Sequence, residues 1–434
     1  MFIRATHWRD QETERQMPIA EGRDLADRQK CRSKPTEPKE AAIRWCIPLV
    51  FSHWRDGMSE TNPDLTVNAE NQTHWNQPDH RRHGFHNLHR HTRYGMSFRA
   101  ARVMMLQKRM DLRIADMESV NRLTSLPWFS AMAVVRGKDV LFERYAPDFG
   151  PDRAHSIMSI SKTLINLVIG SLLEEGKIDL GRQIAHYLPW IGSGYASATV
   201  QQVLDMDVAN NYSEDLSDLR STTYAHEEAG GLRLPADPMH EHTMRSFLAT
   251  ISSTDTTNRT GRADYKTANT DVLAMIAEAV SGRPIRSYLA DIVDAAGIEG
   301  CLYITTDREG FPNTGCGVCV TARDLARYGA LFVKRGKGME DRQVGSASFI
   351  DRSLVGGIPM SAPRDWLRYS NQTNTDGRWL GHGGFGGQYM IADLTSGVVG
   401  VVFSVVENRE GNDSNYHVRI IKMLEQIGRL NFDG

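Results

Sequence analysis

The strand-forming segments of this chain fall into two groups that lie far apart in the sequence. The first group, Ala131–Arg136 and Val140–Tyr145, flanks the turn formers 137–139 and predicts a β-hairpin. The second group, Gly387–Asp393 and Val398–Ser404, lies near the end of the 434 residues. A long stretch with helical periodicity separates them. We therefore predict an α+β fold, in which an antiparallel sheet is built from both groups and flanked by helices, with a mostly helical domain inserted between them.

Apolar spacing and end signals predict six helices. The first begins near Ser159 and stops near Gly176, a residue type that commonly follows a helix C-terminus. The second begins at Thr199, which forms a capping-box pattern with Gln202. Residues 207–260 are polar and contain glycines, so we expect long loops around a pocket there. The remaining helices are predicted at 270–280, 285–296, 321–333 and 416–427.

The first part of the chain differs in composition from the rest. Residues 1 to about 70 carry many charges and several prolines without a sustained period, which is typical of a poorly ordered segment. We predict an N-terminal extension over 1–73 and one domain over 74–434. The α/β part of that domain takes about 74–175 and 300–434, and the helical and loop part takes about 176–299. Met58 is an alternative start of the chain.

Composition and charge narrow the class of partner. Apolar residues make up 40% and charged residues 24% of the chain, and the net charge is −2, which gives no argument for binding nucleic acid or a membrane. No run approaches the roughly 18 apolar residues of a membrane span, and the N-terminus lacks the apolar core of a signal peptide. Five cysteines, an odd number, suit a reducing compartment. We expect a cytoplasmic protein that acts on a small molecule, and the oligomeric state stays open, a homodimer included.

Two motifs raise the question of a bound metal. Six histidines lie within residues 74–91, but their spacings match no closed ligand set, and the arginines between them would repel a cation. Cys316 and Cys319 have the spacing of a redox or zinc pair, but no second pair lies nearby. Buried free thiols are the simpler interpretation of the cysteines. We predict that the protein uses no metal and no cofactor.

Ser159 and Lys162 are three residues apart at the predicted start of the first helix. Residues at this spacing are neighbours on a helix, with Cβ atoms about 5–6 Å apart. A serine hydroxyl is a poor nucleophile until a base takes its proton. Lys162 could be that base if burial or a nearby cation kept it neutral. Because such a pair also arises by chance, the hypothesis depends on the residues downstream.

Two downstream segments place further polar groups beside predicted helices and loops. Tyr265 stands four residues before Asn269 at the start of a predicted helix. The phenol of Tyr265 could pass a proton to and from a reacting group there, and the amide of Asn269 is a candidate to bind the substrate. A half-buried structural tyrosine is the alternative. Tyr212 lies in a polar loop with Glu214 and Asp215. That segment could contact a cationic or amide-bearing substrate, or it could be a solvated turn.

The segment Gly381–Tyr389 contains five glycines in nine residues. So many glycines weaken a strand and favour backbone that lies close against a substrate. Within it, His382 could orient a substrate carbonyl or carboxylate, and a backbone N–H after Gly383 and Gly384 could stabilise an oxyanion. A phosphate-binding loop is the competing interpretation, but the sequence has no P-loop pattern and these glycines lead into a strand.

Other catalytic motifs find little support. The chain has no Gly-x-Ser-x-Gly elbow, which argues against an α/β-hydrolase. The pair His240 and His242 lacks the one-turn spacing of a zinc protease. No segment matches a dinucleotide fingerprint.

The order Ser159-x-x-Lys162, Tyr265, His382-Gly-Gly resembles the serine β-lactamase and penicillin-binding-protein superfamily. More narrowly, it is similar to the branch of the family VIII carboxylesterases and the 6-aminohexanoate-dimer (nylon oligomer) hydrolases. Tyr212-Ser-Glu-Asp and the segment after Tyr265 are similar to segments of the nylon oligomer hydrolases. The resemblance covers roughly residue 75 to the end of the chain.

The resemblance implies a role for each matching residue. Ser159 would be the acylated nucleophile, Lys162 its base, and Tyr265 would share the proton transfer to the leaving group. The backbone N–H groups of Ser159 and Phe385 would form the oxyanion hole. Tyr212 would touch the nitrogen of the leaving amide.

Two departures from the superfamily pattern bear on the activity. The Lys-Thr-Gly motif is replaced by His382-Gly383-Gly384, so the cation that would grip a β-lactam carboxylate is missing. Asn269 stands four residues after Tyr265, whereas the β-lactamases place their asparagine two after. The resemblance thus implies a serine hydrolase of small linear amides or esters. The alternatives are a β-lactamase or D-alanyl-D-alanine peptidase, and a non-catalytic binding protein on the same fold.

Overall fold

Strands lie near both ends of the part of the chain that the structure describes. This computed structural model describes residues 69–218 and 220–432, which fall within one compact unit. Residues 1–68 of the predicted N-terminal extension lie outside the described residues, so the extension stays a prediction. The strands are β1 (Gly95–Phe98), β2 (Gln107–Lys108), β3 (Phe129–Arg136), β4 (Asp139–Tyr145), β5 (His155–Ser156), β6 (Leu302–Thr305), β7 (Val318–Val320), β8 (Ile358–Pro359), β9 (Arg368–Ser370), β10 (Thr373–Thr375), β11 (Trp379–Gly384), β12 (Gln388–Asp393) and β13 (Val398–Ser404).

The strands form one large and one small sheet. The large sheet has the order β2-β4-β3-β13-β12-β11-β10-β9-β8, and the small one β1-β6-β7-β5. At the centre of the large sheet β3 runs antiparallel to β13, with Arg136 opposite Val398. The two distant strand groups therefore meet side by side, as predicted. The hairpin β3–β4 and the α+β fold with an antiparallel sheet are confirmed.

Helices cover the sheets and fill the middle of the chain. All six predicted helices are confirmed, within a few residues at each end, and Thr199 and Gln202 form the predicted capping box. Gly176, just after the first of them, has a φ of 69°. This is the left-handed conformation that glycine commonly adopts after a helix C-terminus. The helices are α1 (Ala69–His74), α2 (Pro78–His91), α3 (Leu112–Asp116), α4 (Glu118–Thr124), α5 (Thr163–Glu174), α6 (Ile184–Tyr187), α7 (Ser193–Ala196), α8 (Val200–Leu204), α9 (Thr222–Ala229), α10 (Met244–Leu248), α11 (Ala268–Ser281), α12 (Ile285–Ala296), α13 (Ala322–Val333), α14 (Ala347–Val355) and α15 (Ser414–Gly428).

The central strands are buried on both faces. Every residue of β12 and β13 is buried, and so are the first seven of β3. A Cβ at Gly329 of α13 would lie against Val399, whereas Gly400, the next residue of β13, faces Leu424 of α15. Because successive side chains of a strand point to opposite faces, α13 and α15 cover opposite faces of the sheet. This explains why these strands read as continuous apolar runs.

Part of the glycine-rich segment forms a strand, although so many glycines disfavour one. β11 holds Gly381, Gly383 and Gly384 and pairs along its length with β12. A Cβ at Gly381 would lie 2.1 Å from the backbone oxygen of Met390. The glycines therefore allow close approach of other protein backbone, which the tertiary contacts decide and the local sequence does not.

Helices of the described residues are all too short or too polar to cross a membrane. In the same residues, no group of three or more His, Cys, Asp or Glu side chains is placed to hold a metal ion. Cys316 and Cys319 are free thiols, and Cys319 is 1% exposed.

Several histidines are buried between α2 and the sheets. His91 of α2 is 4% exposed, and His155 of β5 is fully buried with its ring stacked on Phe403 at 4.8 Å between centroids. Burial lowers the pKa of His91 to about 4 and that of His155 to about 3. Both rings are therefore neutral in the folded protein at neutral pH.

These neutral histidines should make the fold sensitive to acid. Below about pH 6.5 these histidines bind protons in the unfolded chain but stay neutral in the folded chain. The free energy of unfolding therefore falls as the pH falls, by about 1.4 kcal/mol per pH unit for each such ring. In urea unfolding, His155→Gln should reduce the loss between pH 7.0 and 5.5 by about 1 kcal/mol. The exposed His242→Gln variant is the control and should keep the full loss. An unchanged loss in His155→Gln would contradict this explanation.

Candidate active site

Ser159 lies in a tight 3₁₀ turn, Met158–Lys162, that leads into α5. Met158, just before it, has a φ of 47°, a conformation that costs a non-glycine residue energy and persists only when its surroundings fix it. The preceding residues provide that support, because β5 pairs with β7 and the N–H of Ile157 donates to the oxygen of Val318 at 3.0 Å. The strand and the helix thus hold the serine in a defined place.

The ammonium group of Lys162 is buried beside this serine. Its Nζ donates to Ser159 Oγ at 3.0 Å, to Thr267 Oγ1 at 3.0 Å and to the backbone oxygen of Gly315 at 2.7 Å. The lysine is 0% exposed, so three oxygens satisfy its three donors away from water. The predicted serine–lysine contact is present in this geometry.

The charge of Lys162 differs from the expectation of a lysine kept neutral by burial. Burial on its own lowers the pKa of this amine, but the neighbouring Tyr265 and Glu214 outweigh it and raise the pKa above its ordinary value. The resting site therefore holds an ammonium ion. A proton must leave the Lys162–Tyr265 pair before the pair can accept one from Ser159.

Tyr265 stands over the amine. Lys162 Nζ lies 5.0 Å from the centre of the Tyr265 ring, which packs against Tyr369 and His382. The hydroxyl of Tyr265 is buried. Burial raises the pKa of this phenol, and the charge of Lys162 together with hydrogen bonding to Lys162 and Ser159 partly opposes that. The hydroxyl therefore lies within reach of both the serine and the amine.

His382 supports the site from behind. It is 2% exposed, its Nδ1 donates to the oxygen of Gly383 at 2.6 Å, and its Nε2 accepts from the hydroxyl of Tyr369 at 3.2 Å. Burial, helped by the charge of Lys162, lowers the pKa of His382 to about 3. The ring is neutral and both nitrogens are occupied, so the geometry gives no support to the prediction that it orients substrate.

The predicted oxyanion amides belong to neighbouring segments. A Cβ at Gly384 would lie 2.4 Å from the backbone oxygen of Ile157, so the end of β11 touches the backbone just ahead of Ser159. Phe385 follows directly, and its ring packs against Phe85 at 6.2 Å between centroids. The structure therefore brings the Ser159 and Phe385 segments together. Gly384 allows this close approach, whereas the missing Cβ of Gly383 leaves room for the ring of Tyr389.

The Tyr212 segment is hydrogen-bonded to Lys266 and Thr267, and the hydroxyl of Thr267 contacts Lys162. Lys266 Nζ donates to the backbone oxygen of Tyr212 at 3.3 Å, and the N–H of Thr267 donates to Glu214 Oε1 at 2.5 Å. The Tyr212 side chain is 3% exposed. The alternative of a solvated turn does not describe this residue.

Asn269 is not brought to the serine. Its Oδ1 accepts from the hydroxyl of Tyr195 at 2.8 Å and its Nδ2 donates to the oxygen of Val203 at 3.1 Å. The side chain is 0% exposed on α11, so its amide joins helices together and offers nothing to a substrate. This geometry does not support the prediction of substrate binding by Asn269.

Thr267, and not Asn269, contacts Lys162. It stands two residues after Tyr265, which is the spacing of the asparagine in the β-lactamases, and its hydroxyl contacts Lys162. That spacing was the signal that could have found it. Gly315 was missed because a backbone oxygen gives no sequence signal.

The comparisons with known proteins identify the family of this chain. The sequence model of the β-lactamase family ("Beta-lactamase") matches residues 130–423, and the chain therefore belongs to the β-lactamase family. A more particular similarity is to the 6-aminohexanoate-dimer hydrolase of Paenarthrobacter ureafaciens, with 38% identity over 232 residues. That alignment covers 52% of this chain and 57% of the relative, so the match spans little more than half of each.

Solved structures confirm the fold. A candidate 6-aminohexanoate-dimer hydrolase from Bacillus anthracis has a TM-score of 0.71 at 20% identity and covers 84% of this chain and 98% of its own. A D-stereospecific amidohydrolase from Streptomyces has a TM-score of 0.52 at 17% identity, over 69% of this chain and 96% of its own. At these identities the likeness defines the fold alone.

Proposed function

We propose that this protein is a serine hydrolase that cleaves small linear amides or esters through an acyl-serine intermediate, with a specificity like that of the 6-aminohexanoate-dimer hydrolases. The observation that carries the proposal is the contact of the buried Lys162 Nζ with Ser159 Oγ at 3.0 Å, beneath Tyr265. The similarity to the Paenarthrobacter ureafaciens hydrolase supports the choice of substrate class. The Ser-Lys arrangement needs no metal or cofactor for this chemistry.

The reaction follows from the groups on the site. Once the Lys162–Tyr265 pair has lost one proton, it accepts the hydroxyl proton of Ser159 as the serine oxygen bonds to the substrate carbonyl carbon. The N–H groups of Ser159 and Phe385 then stabilise the oxyanion. The pair returns the proton to the leaving nitrogen or oxygen, the amine or alcohol departs, and the acyl-serine remains. Water attacks it by the same steps in reverse and releases the acid.

A substrate panel tests the proposal. We expect turnover of short ω-amino-acid amides and short-chain esters, with a burst of nitrophenol from a p-nitrophenyl ester equal to the concentration of active sites. A chromogenic cephalosporin should be turned over slowly or not at all, because His382 is neutral where a β-lactam enzyme has a lysine cation. Fast turnover of the cephalosporin with none of the amides or esters would favour the β-lactamase alternative.

Tyr212 should favour amides over esters. Its oxygen is proposed to contact the N–H of the leaving group, a group that an ester lacks. We expect Tyr212→Phe to lower kcat/KM for a p-nitroanilide about 10-fold to 100-fold, the usual effect of losing one buried hydrogen bond. The p-nitrophenyl ester of the same acid should lose no more than about threefold.

A second tyrosine provides the control for this substitution. Tyr224 lies on α9 and its hydroxyl donates to the oxygen of Leu216. Tyr224→Phe should leave the ratio of anilide to ester activity as in the wild type. Equal losses on both substrates in Tyr212→Phe would remove the proposed preference for amides.

We also propose the cytoplasm as the compartment. The support is the cysteine usage, since Cys301, Cys316 and Cys319 are free thiols and disulfides are rare in reducing compartments. Cell fractionation with an antibody against the protein tests this. Recovery of the protein outside the cell would contradict it.

A further inference from the structure

A chain of buried hydrogen bonds leads away from the Tyr212 hydroxyl. Tyr212 Oη lies 2.9 Å from His226 Nδ1, and His226 Nε2 lies 2.9 Å from Asp271 Oδ2. The hydroxyl of Thr314 donates to the other oxygen of Asp271 at 3.1 Å. Tyr212 and His226 are each 3% exposed and Asp271 is 0% exposed. Neither His226 nor Asp271 could be predicted from the sequence, because they are far apart in it and match no motif.

The chemistry of these groups sets the direction of each bond. A carboxylate can only accept, so His226 must donate to Asp271 through an Nε2–H. In the neutral ring this leaves Nδ1 as the acceptor, and the hydroxyl of Tyr212 must then donate to it. The ring of His226 stacks on Phe247, with 5.2 Å between centroids and planes 8° apart, which keeps the imidazole in this orientation.

The O–H bond of Tyr212 therefore points toward His226. Burial raises the pKa of Tyr212 well above its ordinary value, so the phenol stays protonated and keeps donating. The Thr223 side chain also hydrogen-bonds to this phenol and opposes the rise in its pKa. The phenol oxygen has two lone pairs, and the one that Thr223 leaves can only accept a hydrogen bond. A secondary amide has an N–H to give on the leaving side of its carbonyl, and an ester has none.

We infer that His226 and Asp271 are positioning residues that fix the Tyr212 hydroxyl as a hydrogen-bond acceptor and so select substrates whose leaving group carries an N–H. The inference rests on the proposed hydrolase function and adds to it the residues that set the preference. Without the imidazole the hydroxyl would rotate, and its proton could point at the nitrogen of the substrate and oppose binding.

The hydrogen-bonded chain Tyr212–His226–Asp271, called the relay below, lies next to Lys162. Gly315, whose oxygen accepts from Lys162 at 2.7 Å, follows Thr314 directly. A Cβ at Gly315 would lie 3.3 Å from Asp271 Oδ2. Substitutions in the relay should therefore conserve volume, so that the amine of Lys162 keeps its contacts. His226→Gln and Asp271→Asn meet this condition.

A double-mutant cycle tests the inference. We would measure kcat/KM for a p-nitroanilide and a p-nitrophenyl ester of the same acid in the wild type, His226→Gln, Tyr212→Phe and the double variant. His226→Gln should lower the anilide-to-ester ratio about 10-fold, by loss of one hydrogen bond. In the Tyr212→Phe background the same substitution should leave the ratio unchanged, because the relay acts through that hydroxyl. Asp271→Asn should lower the ratio in the same way.

The ester reaction separates this inference from the proposed function. The burst with the ester shows that the variant is folded and that Ser159 is acylated. His86→Gln is the control, since His86 is buried and contacts Ser130 at 3.0 Å away from the relay, and it should leave the ratio unchanged. An unchanged ratio in both relay variants would overturn the inference, as would a further fall in the double variant. The inference would also be overturned if the wild type turned over the ester but not the anilide. If the wild type gave no burst with the ester, the hydrolase proposal itself would be overturned.

Discussion

Ser159→Ala should lower kcat/KM for a p-nitrophenyl ester by about 10⁴-fold to 10⁶-fold, which is the range for loss of a nucleophile that acts with its base as a unit. The hydroxyl that would be acylated is absent in this variant. The remaining groups, the amides near Ser159 and Phe385, could still bind the oxyanion of a direct attack by water. The burst of nitrophenol should disappear together with steady-state turnover.

The control for this substitution is a serine on the same helix. Ser171 lies further along α5 and is half-buried, so Ser171→Ala should keep wild-type activity. If Ser159→Ala retained a burst of the wild-type size, Ser159 would not be the nucleophile. A similar loss in Ser171→Ala would show that damage to the helix, and not to the reaction, explains the effect.

Lys162→Met should lower kcat/KM for the ester by about 10²-fold to 10⁴-fold, the usual contribution of general acid–base catalysis. Methionine fills a similar volume but cannot take the proton of Ser159. Lys162→Arg separates charge from proton transfer, because a guanidinium keeps the positive charge and does not lose its proton. We expect the arginine variant to be as impaired as the methionine variant. Substantial activity in Lys162→Arg would contradict a role for this residue in moving protons.

The pH profile of the wild type tests the protonation of the same pair. The pKa of Lys162 is raised by Tyr265 and Glu214, and the pKa of Tyr265 is raised by burial. The pair must lose one proton to become active, so kcat/KM for the ester should rise with pH through neutrality, about tenfold per unit while the active form is a minority. A rate that is constant from pH 6 to 9 would show that the resting pair is already deprotonated.

Much of the fold could be predicted because its local signals agree. The apolar runs of β12 and β13, the cap at Thr199 and the glycine at 176 each place an element that the structure contains. The strand β11 could not be predicted from local sequence, because its glycines disfavour a strand by themselves. Their small size matters only through the backbone of Ile157 and Met390, which approach from distant parts of the chain.

The site was predictable only in part. Ser159 and Lys162 were candidates because of their spacing, and Tyr265 because it stands at a helix entrance in a matching order of motifs. The structure brings these three residues together. Near Lys162 it places the hydroxyl of Thr267, whereas the side chain of Asn269 bonds to Tyr195. His226 and Asp271 could not be found, since only the packing of α9 against α11 makes them partners.

The acyl group is proposed to form on Ser159. The most direct measurement is to treat the protein with a fluorophosphonate, determine the intact mass, and locate the adduct by peptide mapping. We expect one adduct per chain, on Ser159, formed as ester hydrolysis is lost, and no adduct in Ser159→Ala. An adduct on another residue with parallel loss of activity, or full activity in a protein labelled at Ser159, would contradict it.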